Sequence, residues 1–261
     1  MKFADVIGNG SVADALVSMA DSGRVAHAML LYENEGSGAL ALALAYVQYL
    51  NCRNPHDGDS CGECPSCRQM SKLIHPDVHF VFPVNKGPKS SDDKPTSESY
   101  LKYWRELAIA DPYFTESDLQ KAIGIESKNG LIAVAEAKSI ISKLSLSSVS
   151  YGYKAVIFYL PEKMNQETAN RLLKMVEEPP QKTLFLFITH APEKVLQTIF
   201  SRCQSIRVLP LTKEEARRVA ELKPEADTEE LTTFMDLFSD LLYAVTSRDL
   251  TGALECGEMM A

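Results

Sequence analysis

His27-Ala28-Met29-Leu30-Leu31-Tyr32-Glu33-Asn34-Glu35-Gly36-Ser37-Gly38-Ala39-Leu40 is the stretch on which the fold turns. The apolar run from His27 to Tyr32 predicts a short strand, Glu33 to Gly38 a glycine-containing turn, and the Ala- and Leu-rich segment up to Leu50 a helix. Ahead of it, Ser11 to Ser22 places Val12, Leu16, Val17 and Met19 at helical spacing. Beyond it, Val78 to Phe82 predicts a strand closed by Pro83, and Lys154 to Leu160 and Thr183 to Thr189 predict two more. Helices are expected over Tyr100 to Ile109, Ala133 to Leu144 and Gln166 to Val176. Strands alternating with helices imply an α/β fold with a parallel sheet flanked by helices on both faces. After Leu209-Pro210-Leu211 the pattern becomes helical only, with Lys213 to Leu222 and Leu231 to Val245. The expected division is therefore a domain over residues 1–209 and a small helical one over 210–261, which ends inside helical sequence as a shortened or truncated domain would. Asn85 to Thr96 is polar and almost free of apolar side chains, and is expected to be a mobile loop.

The chain has 261 residues, enough for one large domain and a smaller one, and 45% hydrophobic residues support a real core. No apolar stretch reaches the roughly 20 residues that span a bilayer. The start, Met1-Lys2-Phe3-Ala4-Asp5, lacks the layout of a secretory signal, so a cytoplasmic location without membrane is expected. A formal charge of −8 argues against a protein that grips DNA alone over a broad basic surface.

The phosphate-loop signature is Gly, four residues, then Gly-Lys-Ser/Thr between a strand and a helix. Its amides and lysine hold phosphates and its hydroxyl holds Mg²⁺. The segment from Glu33 through Gly36 and Gly38 to Leu40 has that place and length without that chemistry. Glu33 replaces the first glycine, Ala39 the lysine and Leu40 the hydroxyl, while Glu33 and Glu35 would set negative charge beside a triphosphate. An ATPase of this class also needs carboxylates at the end of a later strand. The candidate strand runs into Tyr159-Leu160-Pro161, with no carboxylate before Glu162. No bound nucleotide is expected.

Cys52, Cys61, Cys64 and Cys67 give the spacing C-x8-C-x2-C-x2-C. Two-residue separations let successive thiolates converge on one tetrahedral ion, and a closed four-sulfur shell leaves no position for substrate water. A structural zinc ion is the expected occupant. An iron–sulfur cluster is the rival, with signatures that differ from this one; His56 and His75 are further candidate ligands. Cys203 and Cys256 stand apart and are expected to be unliganded.

Several stretches together resemble one family. Glu162-Lys163-Met164-Asn165, Asn170 to Pro180 with its Glu177-Glu178-Pro179-Pro180 end, Phe187 to Pro192, and Thr198-Ile199-Phe200-Ser201-Arg202-Cys203-Gln204 are similar to clamp-loader subunits of the AAA+ P-loop NTPase class. Gly23 to Ala28 and the inserted cysteine module fit too, and the resemblance covers approximately residues 1–210. Losing the loop lysine while keeping this framework resembles the delta-prime family of the bacterial DNA polymerase III loader. The resemblance implies a non-hydrolysing stator with a helical lid or the start of a collar. It implies partnership with ATPase motor subunits and a delta subunit, and, within that complex, with the sliding clamp and primed DNA. It also implies that Arg202 acts in trans as an arginine finger on a neighbour's ATP. The alternatives are an ATP-binding or ATP-hydrolysing AAA+ subunit and a stand-alone zinc-ribbon DNA binder. The segment from Asn85 to Lys128 is longer than the family pattern and has no assigned role.

Overall fold

Five parallel strands, β1 (Ala28–Tyr32), β2 (Val78–Val81), β3 (Lys154–Tyr159), β4 (Thr183–Thr189) and β5 (Gln204–Arg207), form one sheet in the order β2-β3-β4-β1-β5. The structure is a computed structural model that describes residues 1–222 except 147 and 149–151. The expected helix over Leu231 to Val245 and Cys256 lie outside the described residues. The helices are α1 (Gly10–Asp21), α2 (Ala39–Asn51), α3 (Pro65–Met70), α4 (Ser97–Ala110), α5 (Glu116–Ile123), α6 (Val134–Ser145), α7 (Gln166–Glu177), α8 (Gln197–Phe200) and α9 (Lys213–Ala220).

Successive strand residues point to opposite faces, so each apolar strand feeds two cores. Met29, Leu31, Leu184, Leu186 and Ile188 pack with Leu16 of α1, Tyr46 of α2 and Trp104 of α4. Leu30, Phe185 and Phe187 on the other face pack with Ile140 of α6, Leu172 of α7 and Ile199 of α8. Every residue of α2 except Leu50 is buried, as suits a helix apolar on all sides. Covered faces on both sides are what parallel pairing requires.

The chain divides after Pro210 into two units. Within the second, α9 begins with a capping box in which the Thr212 side chain accepts from the Glu215 amide at 3.3 Å, while Glu215 accepts from the Thr212 amide at 2.8 Å. Among the described residues no helix is long and apolar enough to cross a membrane.

Four of these elements were not foreseen. Helix α3 hides inside the cysteine cluster, α5 follows a cap formed by Thr115 and Asp118, α8 is a single four-residue turn, and β5 is a short edge strand of mainly polar residues. The loop expected to be mobile is instead tethered. Tyr100 Oη donates to Asn85 O (2.9 Å) and accepts from Gly87 N (3.0 Å), and Asn85 Nδ2 donates to Asn129 O (2.9 Å). Partners distant in sequence supply what local composition lacks.

The single tryptophan pins α4 to the edge strand: its ring centroid lies 4.4 Å from that of Phe80 and 5.6 Å from that of Phe82. At 1% exposure it leaves a large void when truncated. Trp104→Ala should lower the free energy of unfolding by about 3–5 kcal/mol, measured by urea titration followed by circular dichroism.

Candidate functional site

In an open parallel sheet, ligands bind outside the carboxyl ends of the strands. Here those ends deliver Glu33 after β1, Leu160 after β3 and His190 after β4. The turn after β1 relies on Gly36 and Gly38, at φ +80° and +101°. Glu33 is only 8% exposed, and its Oε2 accepts the Ala39 N–H at 2.7 Å. A carboxylate thus satisfies one of the free amides at the start of α2 and sits at the positive end of its dipole, where a phosphate loop would place phosphate. Ala39 and Leu40 are themselves buried.

Leu160, at φ +57°, swings the chain into Pro161 and Glu162. The Glu162 carboxylate turns back onto β4, accepting from Thr189 Oγ1 (2.8 Å) and the His190 amide (3.2 Å). His190 Nε2 lies 3.4 Å from Glu33 Oε1 and Nδ1 3.7 Å from Glu35 Oε1, ion-pair separations rather than close hydrogen bonds. A cavity of about 290 Å³ remains, lined by Glu35, Glu116, Glu162, Lys163, His190 and Lys194. Burial opposes charge on His190, but Glu33, Glu35 and Glu162 outweigh it and raise the imidazole above its ordinary pKa.

Two further residues close the loop from outside. Asn9 in the left-handed region donates from Nδ2 to Ser37 O (3.1 Å) and Leu209 O (3.0 Å) and accepts from Leu209 N (2.7 Å). Tyr113 accepts the Ile7 N–H on its hydroxyl (2.7 Å) and lays its ring against Gly38. Sequence reasoning assigned no role to Asn9, Tyr113 or His190. Asn9 precedes α1 and carries a helix-cap signal, although its side chain is spent elsewhere. No local pattern marks Tyr113, 106 residues from its partner.

The cysteine module is brought together as expected. The Sγ atoms of Cys52, Cys61, Cys64 and Cys67 all lie within 4.8 Å of one another. Four thiolates at the ordinary zinc–sulfur distance of about 2.3 Å would stand about 3.8 Å apart, so the donor set fits a tetrahedral ion. Backbone amides point at the sulfurs: Cys61 N to Cys52 Sγ at 3.2 Å, Cys64 N to Cys61 Sγ at 3.4 Å and Cys67 N to Cys64 Sγ at 3.5 Å. The amides of Cys64 and Glu63 draw the Cys61 thiol down to about 6, favouring the thiolate that a metal takes. His56 and His75 are not in this cluster.

Arg202 follows α8 and precedes β5. It is exposed, with Nε donating to Glu177 Oε1 (2.6 Å) and Nη1 to Thr198 O (2.8 Å). Because β5 runs parallel to β1 with Met29 opposite Gln204 and Tyr32 opposite Arg207, Arg202 lies at the amino ends of the strands. At least about 10 Å of strand separates it from the loop after β1. Cys203 is partly buried against the core of α7 and α8, and burial pushes its thiol up to about 12.

The raised His190 pKa means that the folded state binds more protons than the unfolded one, so this contribution is full below the unfolded pKa and lost above the folded one. The stability difference between the native chain and His190→Gln should therefore be largest below about pH 6.5 and shrink as pH rises, measured by urea titrations across that range.

A family model described as "DNA polymerase III, delta subunit" matches residues 8–212. DNA polymerase III subunit delta' of Yersinia pestis is 32% identical over 188 residues, covering 72% of this chain and 43% of that protein. The subunit of the same name from Escherichia coli K12 is 28% identical, covering 73% of this chain and 45% of its own length. DNA polymerase III subunit tau of Escherichia coli K12 is 23% identical over 84% of this chain and 27% of that protein. The chain spans about half the length of the delta' relatives it matches. With a matching family model over most of its length and these relatives beside it, the chain belongs to the DNA polymerase III, delta subunit family.

Proposed function

We propose that this chain serves in a bacterial DNA polymerase III clamp loader as a subunit that hydrolyses no ATP and lends Arg202 to nucleotide held by a neighbouring ATPase subunit. The reading rests on family membership together with one geometric observation: Arg202 is exposed at the sheet end opposite the chain's own phosphate loop. An arginine so placed acts on a nucleotide bound elsewhere. Its contact with Glu177 is no obstacle, since a surface ion pair contributes only about 0–1 kcal/mol. Its role would be to neutralise charge building on a transferring phosphoryl group.

The chain's own loop supports the same reading. It offers Ala39 and Leu40 where a lysine and a magnesium-binding hydroxyl would be needed, and its Ala39 amide is already held by Glu33. An ATP-hydrolysing role lacks both of those side chains. By the same reading, residues 1–209 form an AAA+ domain and residues 210–261 a lid or the start of a collar. The work is cytoplasmic and shared with ATPase motor subunits and a delta subunit, and within that complex with the sliding clamp and primed DNA.

In the cysteine module Cys52, Cys61, Cys64 and Cys67 would hold a zinc ion that cross-links the end of α2 to α3 and leaves no site for substrate. Elemental analysis should find about one zinc per chain, and Cys64→Ser should lose the metal and melt at lower temperature. A full complement of iron in place of zinc would reject the assignment.

Arg202→Ala, assembled with the other loader subunits, clamp and primed DNA, should slow ATP turnover at the adjoining site by a factor on the order of 10³, with assembly intact by gel filtration. Unchanged turnover in an intact assembly would leave the chain as a structural member only.

A further inference from the structure

The segment from Asn85 to Lys128, to which no role was assigned, reaches the turn after β1. Tyr113 and Phe114, ahead of α5, are 4% and 3% exposed. The Tyr113 ring lies so close to Gly38 that a methyl group there would stand 2.7 Å from Cε1. Its hydroxyl is anchored twice to the N-terminal segment, accepting from Ile7 N (2.7 Å) and donating to Ile7 O (3.1 Å). Its own amide donates to Asp111 Oδ1 (2.9 Å). Next along the chain, Phe114 packs on Tyr159 with ring centroids 5.1 Å apart, and the Glu116 amide donates to Glu35 Oε1 (2.5 Å). The Glu116 carboxylate in turn pairs with Lys163 at 2.9 Å.

These contacts supply from within the chain what a bound ligand would otherwise bring. Glu33 gives α2 a negative charge at its first amide, Tyr113 covers the glycine, and the start of α5 hands an amide to the Glu35 carboxylate. We infer that the segment from Asp111 to Ile123 is a resident occupant of this cleft, and that Tyr113, over and above the lost loop residues, closes it to nucleotide. The inference rests on the reading that this chain holds no nucleotide, and it gives this segment a task. A loop stripped of lysine and hydroxyl binds phosphate weakly, but a ring laid against Gly38 denies the approach itself.

The test restores the loop chemistry and then removes the ring. The full chain carrying Glu33→Gly, Ala39→Lys and Leu40→Thr is prepared with Tyr113 kept and with Tyr113→Ala. Tyr113→Leu serves as a second opening should the alanine form lose its native circular dichroism. Binding of a fluorescent ATP analogue with Mg²⁺ is read by anisotropy. The restored loop with Tyr113 in place should bind at least about tenfold more weakly than the restored loop without the ring. Equal binding by the two overturns the inference while leaving the proposed function standing. So does an absence of binding in folded chains that have lost Tyr113. Binding by the unaltered chain would overturn both.

Discussion

Parallel strands can be joined only by crossovers, and crossovers lay helices on both faces, so a parallel sheet has no face left for water. That constraint organises this protein. β4 is buried over its full length and divides its side chains between two cores, Leu184, Leu186 and Ile188 toward α2 and α4, Phe185 and Phe187 toward α6 and α7. With both faces taken, polar and functional groups are confined to the strand ends and the inserted loops. The carboxyl ends gather Glu33, Glu162 and His190, and the amino ends present Arg202.

The cleft at the carboxyl ends is an electrostatic unit closed on itself. Glu33 is nearly buried, and it is tolerable there because it faces the start of α2 and His190 together. Burial opposes charge on His190, but the same carboxylate together with Glu35 and Glu162 raises its pKa above the ordinary value. Glu33 meets both the Ala39 amide and His190, so one nearly buried carboxylate links the turn after β1 to the turn after β4. The ring of Tyr113 completes that closure from a segment far away in sequence.

The cysteine module and the arginine stand outside this unit. The module is a local device: three of its four cysteines lie within one short stretch, amides direct the sulfurs, and Pro65 and Cys64 start α3. Arg202 is held by exposed partners, Glu177, the Thr198 carbonyl and the Ser201 hydroxyl, contacts of the kind that contribute little at a surface.

Sequence alone determined the alternation of β1, β3 and β4 with α2 and α7, the four clustered cysteines, and the residue types Glu33, Ala39 and Leu40 in and after the turn that follows β1. These are carried by local periodicity, short spacings or residue type at a motif position. It missed α3, α5 and α8, whose few residues give too short a periodic signal, and β5, whose polar residues lack the apolar run of a buried strand. It also took the polar stretch after Asn85 for a mobile loop, because its tethers, Tyr100 and Asn129, lie elsewhere in the chain. Only the tertiary structure decided that Glu33 caps α2, that Tyr113 covers Gly38, and that Arg202 and the loop occupy opposite ends of the sheet. Those outcomes depend on strand order and on contacts between residues as much as 200 positions apart, and no local pattern encodes which distant side chain will fill a given space.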